Sequence, residues 1–195
     1  MKTYYERRAR EYDDWWLGTG LHASRHRPGW DDSVAELTAT LAALPPARTL
    51  DVACGTGFLT RHLPGTVTGL DQSASMLELS QARVPDASFV RSDALPLRFP
   101  DGSFERVFTS FFYGHLEEDD RRAFLSEAGR VAAELVVVDS ALSEDHKPVG
   151  WQERVLKDGS TWQVYKRFFT AEELAQELGR GRPLYESRWF VAGQA

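Results

Sequence analysis

Short β-rich runs alternate with helical stretches through the middle of the chain, and this alternation restricts the fold more than any other feature of the sequence. The β-rich runs predict strands at 48–53, 66–70, 87–91, 104–110 and 134–139. Helical spacing predicts helices between them at 58–63, 73–83 and 117–131. A repeated strand–helix–strand unit predicts a parallel sheet with helices on both faces.

The two ends of the chain carry additional predicted elements. An amphipathic helix is expected over residues 4–16, because apolar side chains recur there at the spacing of one helical face, at Tyr5, Ala9, Tyr12 and Trp16. A capping box at Ser33 predicts the start of a second helix, which stops at the proline pair 45–46. Two further strands, at 163–169 and 187–192, are expected to flank a short helix that begins after Thr170.

Composition indicates one soluble globular domain. The 195 residues are 42% hydrophobic and 27% charged, and no apolar run approaches the ~20 residues of a membrane helix. We expect a helical cap over 1–45 and a sheet domain over 46–195. Residues 1–6 carry charge where a signal peptide would be apolar, which predicts a cytoplasmic protein with no membrane partner.

Charge and cysteine content argue against two classes of function. The net charge of -6 would repel a phosphate backbone, so nucleic acid is not an expected partner. Cys54 is the single cysteine, which excludes an internal disulfide and a cysteine metal cluster. The histidines show no metal-ligand spacing, so no metal is expected.

A glycine turn follows the first predicted strand, within residues 50–60. Gly55 and Gly57 lack a Cβ, so the backbone there, including Ala53 and Cys54, can approach a ligand closely at the carboxyl end of the strand. A tight turn that binds nothing would also use these glycines, and it remains the alternative interpretation.

Asp51 precedes this turn and indicates which kind of ligand fits. A carboxylate at the strand end can attract an ammonium group, directly or through water, while loop amides receive a carboxylate. This pattern favours a zwitterionic amino-acid ligand. The fingerprint of nicotinamide or flavin sites fits less well, because its third glycine would stand at Thr60 and Asp51 would lie near a pyrophosphate.

Acidic residues also follow the next two predicted strands. Asp71 can accept two hydrogen bonds from a ribose diol, with Gln72 beside the base and Met76 able to cover an adenine ring. Asp93 and the amide of Ala94 match the donor and acceptor edge of adenine. Each acid alone could be an ordinary loop residue, but three in succession favour a nucleoside site.

Together these stretches resemble the class I S-adenosylmethionine-dependent methyltransferases, in particular small bacterial enzymes similar to the ubiquinone and menaquinone C-methyltransferases. Residues 50–60 look like the first motif of that family, 69–76 like the acidic ribose motif, and 91–95 like the adenine motif. Residues 99–105 look like the approach to the fourth strand, with Glu105 where the family usually has aspartate. The resemblance covers most of the chain.

The resemblance implies an α/β, Rossmann-like doubly wound sheet of seven strands, mostly parallel with an antiparallel last strand, plus N-terminal helices. It implies that the segments around Tyr165 and Trp189 form the final hairpin. The implied cofactor is S-adenosyl-L-methionine. The helix carrying Tyr12 would close over it, and Phe111 would line the space between cofactor and acceptor.

The expected reaction is in-line transfer of the methyl group to a small-molecule acceptor, which needs no covalent nucleophile from the protein. His115 is the first candidate base because a neutral imidazole is available near pH 7, and Tyr113 is the second. A hydrogen bond to backbone would account for His115 equally well. The sequence leaves open the acceptor, the methylated atom, the need for a base and the oligomeric state.

Three other functions remain compatible with the sequence. The chain could be a nicotinamide-dependent oxidoreductase on a similar sheet, which Asp51 and Thr60 disfavour. It could bind the cofactor without transferring its methyl group. It could also use the sulfonium cofactor for an elimination or a cyclisation.

Overall fold

The computed structural model describes residues 2–144 and 147–195. Seven strands form one sheet: β1 (Ala47–Val52), β2 (Gly65–Asp71), β3 (Ser88–Arg91), β4 (Arg106–Ser110), β5 (Glu134–Ser140), β8 (Arg182–Glu186) and β9 (Phe190–Gln194). Their spatial order is β3-β2-β1-β4-β5-β9-β8. The strands from β1 to β5 pair in parallel, whereas β9 runs antiparallel to both β5 and β8. The predicted doubly wound sheet with an antiparallel last strand is confirmed.

Helices cover both faces of this sheet: α2 (Asp14–Leu17), α3 (Trp30–Ala42), α4 (Ala74–Arg83), α5 (Glu118–Val131) and α6 (Ala171–Glu177). The first helix, α1 (Lys2–Arg8), packs instead against α4 and, through Tyr4, against Leu156 and Val164. Successive residues of a strand point to opposite faces, so each strand contributes to two cores. Val107 and Val137 pack with α5 and α6, while Phe108 and Val136 pack with α3. Within the described ranges, no helix is long and apolar enough to cross a membrane.

The end of the chain differs from the sequence-based prediction. The 163–169 segment belongs to β7 (Thr161–Arg167), which pairs antiparallel with β6 (Val149–Val155) as a separate two-stranded sheet. Tyr165 is therefore not part of the final hairpin, which consists of β8 and β9. The prediction was wrong because β6 and β8 went unrecognised: β6 mixes glycine and charged residues, and β8 contains a proline.

Two predicted helices are also shorter or interrupted. Residues 58–63 contain only a single 3-10 turn, Thr60–His62, because Pro64 and the start of β2 follow at once. The predicted helix over 4–16 is divided by a 3-10 turn at Ala9–Glu11 into α1 and α2. Glycine at position 18, with φ of 67°, then ends α2 in the left-handed conformation.

Candidate active site

A cavity of about 330 Å³ opens at the carboxyl ends of β1, β2, β3 and β4. Parallel strands bring the residues that follow them to the same edge of a sheet, which is where open α/β sheets bind ligands. Ten residues predicted as site residues line the cavity: Tyr12, Ala53, Gly55, Asp71, Gln72, Met76, Asp93, Ala94, Phe111 and His115.

Asp71 holds the backbone around the cavity. Its Oδ2 accepts a hydrogen bond from the Gly55 amide at 3.0 Å, and its Oδ1 accepts one from the Ser73 amide at 2.9 Å. Burial raises the pKa of Asp71, and these two amides oppose that effect. Each carboxylate oxygen keeps a second lone pair, so the side chain can still accept hydrogen bonds from a ligand.

The glycine turn at residues 53–57 is held by α4 and by residues 4–16, called the N-terminal segment. Ser80 donates to the Gly55 carbonyl at 2.6 Å, and Arg83 donates to the Thr56 carbonyl at 2.7 Å. At Gly57, φ is 74° and an added Cβ would lie 3.2 Å from Ser80, so this glycine serves close packing against α4. The Gly55 amide donates to Asp71, which differs from the expectation that it receives the carboxylate of a ligand.

Two residues in the cavity wall adopt left-handed backbone conformations without being glycine. Ala53 has φ of 58° at the end of β1, and Phe111 has φ of 51° at the end of β4. A side chain in this region costs of order 1–3 kcal/mol, and such residues cluster at functional sites. Both turns direct the chain along the cavity immediately after a strand.

Asp51 lies beneath this wall and outside the residues that line the cavity. Its Oδ2 accepts a hydrogen bond from the Thr60 hydroxyl at 2.6 Å, whereas its buried Oδ1 has no partner among the described residues. Burial raises the pKa of Asp51 to about 7, against the Thr60 hydrogen bond, and the charge of Asp71 adds to the rise. A cation nearby would relieve this unfavourable burial of charge.

The base side of the cavity lies between α4 and the segment after β3. Met76 is buried in the first turn of α4, where the Ser73 side chain caps the helix by accepting from the Met76 amide at 3.1 Å. Asp93 and Ala94 line the wall that follows β3. An apolar surface beside a carboxylate and backbone amides suits a planar base with polar edges.

The N-terminal segment forms another wall, through Tyr5 and Tyr12. Glu6 attaches α1 to the start of α4, because its carboxylate accepts from the amides of Ala74 at 2.8 Å and Ser75 at 3.1 Å. Burial alone would raise the pKa of Glu6, but these hydrogen bonds lower it to about 2. Burial raises the pKa of Tyr12 to about 12, so this phenol is neutral near pH 7.

His115 lines the cavity from the turn after β4. Its Nδ1 lies 2.6 Å from the Tyr165 carbonyl, and because a carbonyl can only accept, the proton belongs on Nδ1 and Nε2 keeps its lone pair. Burial, and next the charge of Lys166, lower the pKa of His115 to about 3. Asp139 anchors this turn, since it accepts from the Gly114 amide at 2.7 Å and pairs with buried Lys166.

Four predicted site residues are not brought to the cavity: Asp51, Cys54, Gly57 and Tyr113. Tyr113 is buried, and its hydroxyl donates to Glu177 at 3.1 Å, which favours packing over contact with an acceptor. The Cys54 thiol is buried beside Ser80, with sulfur and hydroxyl 3.9 Å apart.

Several residues that line the cavity were not named as individual site residues, although most lie in the motifs and segments that the sequence singled out: Tyr5, Leu70, Ser92, Leu95, Ser110, Phe112, Leu116 and Asp120. Most of them are immediate neighbours of predicted residues, so extending each strand-end segment by one residue would have found them. Asp120 gave no such signal, because it is one of four consecutive acidic residues at the start of α5.

Curated proteins similar in sequence are methyltransferases. Residues 49–134 match a family model described as a methyltransferase domain. A demethylmenaquinone methyltransferase of Thermotoga maritima is 37% identical over 107 residues, which cover 52% of this chain and 44% of that protein. A phthiotriol/phenolphthiotriol dimycocerosates methyltransferase of Mycobacterium ulcerans is 40% identical over 104 residues, covering 48% and 36%. The chain thus spans less than half the length of these relatives.

Solved structures agree with this similarity over nearly the whole chain. DhpI in its complex with SAH is 26% identical with a TM-score of 0.72, over 98% of this chain and 92% of that chain. The [4+2]-cyclase SpnF shares the fold at 20% identity and a TM-score of 0.62, over 94% and 74%. The resemblance predicted from the sequence is confirmed: the chain is similar to class I S-adenosylmethionine-dependent methyltransferases, quinone methyltransferases among them.

Proposed function

We propose that the chain binds S-adenosylmethionine and transfers its methyl group to a small-molecule acceptor. The match to a methyltransferase domain and the observed fold support this proposal. The observation that carries the proposal is the cavity itself. It has an amide-held carboxylate, Asp71, on one strand end and the positive-φ turn at Ala53 and Gly55 on the next. The acidic residues and the turn suit the ribose and the amino-acid part of one ligand.

The cofactor would be held by residues of three successive strand ends. Asp71 accepts hydrogen bonds from the ribose hydroxyls with the lone pairs that the backbone leaves free. Met76 packs against the adenine, and Asp93 with the Ala94 amide binds its polar edge. The unpartnered Oδ1 of Asp51 supports an attraction to the ammonium group through water, since Asp51 is not in the cavity wall.

The bound cofactor supplies an electrophilic sulfonium methyl group, so the protein has to align the acceptor and exclude water. Tyr5 and Tyr12 cover the cavity from the N-terminal side, and Phe111 and His115 border it on the side of β4. With a pKa of about 3, His115 stays neutral but is a weak base. We assign its Nε2 to accepting a hydrogen bond that orients the acceptor, a more modest role than proton abstraction.

One experiment separates this function from its alternatives. Purified protein is incubated with S-adenosylmethionine carrying a labelled methyl group and with a metabolite extract, and the products are identified by mass. A product that gains one labelled methyl supports the proposal. A product without that gain would indicate a different use of the cofactor, and cofactor binding without any product would indicate a binding protein.

A further inference from the structure

Two partly buried arginines lie near the cavity without a carboxylate partner. Arg8 belongs to α1 and Arg154 to β6, and neither forms an ion pair within residues 2–144 and 147–195. The fully buried arginines behave differently, because Arg106 pairs with Glu134 at 2.7 Å and Arg121 with Glu177 at 3.3 Å. An uncompensated guanidinium away from water is costly, so two of them in one region call for an explanation.

Aromatic contacts connect Arg8 to the cavity wall. Its guanidinium lies 4.9 Å from the ring centroid of Tyr12, which lines the cavity, and 5.5 Å from that of Tyr4, whose hydroxyl accepts its hydrogen bond. Rings on two sides hold the guanidinium in place while its remaining N–H groups stay free to donate. Arg8 does not itself line the cavity, but these contacts place its guanidinium against Tyr12, which does.

Arg154 lies where the β6–β7 hairpin meets the N-terminal segment. It is paired in register with Trp162, whose ring packs 5.7 Å from that of Tyr4, and it donates to the Gln152 side chain at 2.5 Å. That amide satisfies one N–H group and adds no negative charge. Arg8 thus contacts Tyr4 directly, and Arg154 is paired with a tryptophan that contacts the same tyrosine.

The charges of this region act on one another. Burial, and next the charge of Arg8, lower the pKa of Arg154, with a further contribution from exposed Arg25. Burial, followed by Arg25 and Arg8, lowers the pKa of His22 to about 4. The Nδ1 atom of His22 is buried and has no hydrogen-bond partner among the described residues. The charge of Arg154 also makes a minor contribution to lowering the pKa of His115, which lines the cavity.

We propose that Arg8 and Arg154 bind an oxyanion of the methyl acceptor, a carboxylate or a phosphoryl group, and so hold its nucleophilic atom beside the cofactor. This assignment rests on the proposed function. A guanidinium binds planar oxyanions through two parallel hydrogen bonds, which gives orientation as well as affinity. The region stands out in a chain with a net charge of -6, because no carboxylate neutralises these two side chains within the described residues.

The test uses inorganic phosphate and acetate as probes, each titrated into the protein with and without saturating S-adenosylhomocysteine. Wild type is compared with Arg154→Gln and Arg8→Gln, and with Arg122→Gln as the matched control, since Arg122 is an exposed arginine on α5. We expect at least one anion to bind wild type and Arg122→Gln with equal affinity. The same anion should bind Arg8→Gln and Arg154→Gln at least tenfold more weakly than it binds wild type. Arg154→Lys should recover part of the binding, which guards against a folding defect.

The two probes also distinguish the sources of the oxyanion. Preference for phosphate assigns the acceptor to phosphoryl compounds, and preference for acetate assigns it to carboxylic acids. The inference is overturned if neither anion binds the wild type. It is also overturned if wild type, Arg8→Gln and Arg154→Gln bind the anions equally well. Failure of S-adenosylhomocysteine to bind wild type would instead contradict the proposed function, and the anion titrations without it would still decide the role of the arginines.

Discussion

Asp71 supports the backbone around the cavity, and in the proposed function the same carboxylate binds the ribose of the cofactor. Each oxygen accepts one amide hydrogen and keeps one free lone pair. The two roles can be separated, because loss of loop support lowers stability whereas loss of ligand contact lowers affinity even in a folded protein.

Replacing Asp71 with asparagine should weaken binding of S-adenosylhomocysteine about 10- to 100-fold. The amide NH2 group of asparagine would face a backbone N–H and could no longer accept from one ribose hydroxyl, and hydrogen bonds to charged groups contribute about 1.5–3 kcal/mol. Calorimetry measures the affinity, and circular dichroism checks the fold. Asp86→Asn, at an exposed loop acid, is the control. Wild-type affinity in a folded Asp71→Asn protein would rule out the ribose contact.

Asp51 should release a proton when the cofactor binds. Burial raises its pKa from 3.8 to about 7, so near pH 7 about half of the free protein carries the proton. An ammonium group nearby favours the charged form and lowers the pKa. Titration with S-adenosylhomocysteine in buffers of different ionisation enthalpy should detect about half a proton released, and Asp51→Asn should abolish that release. The same proton count in both proteins would exclude the ammonium contact.

The raised pKa of Asp51 also determines how the stability of the ligand-free protein changes with pH. Because the folded state binds this proton more tightly than the unfolded state, the contribution of Asp51 to the free energy of unfolding falls as pH rises from 4 past 7. Urea unfolding should therefore find Asp51→Asn gaining stability relative to wild type between pH 5 and pH 8. A constant difference across that range would contradict the raised pKa.

At the scale of elements, residues 4–16 line the cavity through Tyr5 and Tyr12, and the β6–β7 hairpin packs against Tyr4 of the same segment. The segment is held by links to three places. Glu6 contacts the start of α4, Asp13 accepts from the Thr56 hydroxyl at 2.6 Å and pairs with Arg83, and Asp14 pairs with Lys157 at 2.6 Å. Packing and closure over the cofactor are both compatible with these contacts.

Removing the Asp13 links should loosen this segment. In Asp13→Ala, amides of residues 4–16 should exchange with deuterium about fivefold faster, since a partly exposed charged network contributes about 1 kcal/mol. S-adenosylhomocysteine should slow exchange there in both proteins more than in α6, because a filled cavity gives the aromatic wall something to pack against. Asp32→Ala, at an exposed acid of α3, is the control. Equal exchange with and without ligand would mean that the segment is permanently packed structure.

At the scale of the whole molecule, ligand binding is expected to stabilise the fold selectively. S-adenosylhomocysteine at about 100 times its Kd adds about 2.7 kcal/mol, which for a chain of this size raises Tm by about 5–10 °C. Nicotinamide dinucleotides should leave Tm unchanged, because Thr60 stands where their fingerprint requires glycine and Asp51 is a buried acid. If Tm rises with a nicotinamide dinucleotide and not with S-adenosylhomocysteine, the oxidoreductase alternative is favoured instead.

The parallel part of the fold was predictable because its strands are short, local β-rich runs, of which β5 is nearly continuously apolar. Strands such as 134–139 could be located from a few residues each, and Ser73 and Thr170 cap α4 and α6 as expected. The capping box expected at Ser33 was wrong, because α3 begins at Trp30 after Gly29 and Ser33 lies within it. The β6–β7 hairpin was not predictable in the same way. Its strands mix polar and apolar residues, and although their pairing is local, the hairpin packs against Tyr4, which is distant in the chain.

The sequence by itself determined the order of the parallel strands β1 to β5, the helices α4 and α5 between them, and the strand-end residues Asp71 and Asp93, because hydrophobic periodicity and strand boundaries are local properties. Tertiary structure alone decided which side chains face the cavity. In the folded chain, Asp51 lies beneath the cavity wall, and the Gly55 amide donates to Asp71. Arg8 contacts Tyr4, whose ring packs against the Trp162 that is paired with Arg154. Burial, pKa and the pairing of charges depend on neighbours that are distant in sequence, so they exist only once the chain has folded.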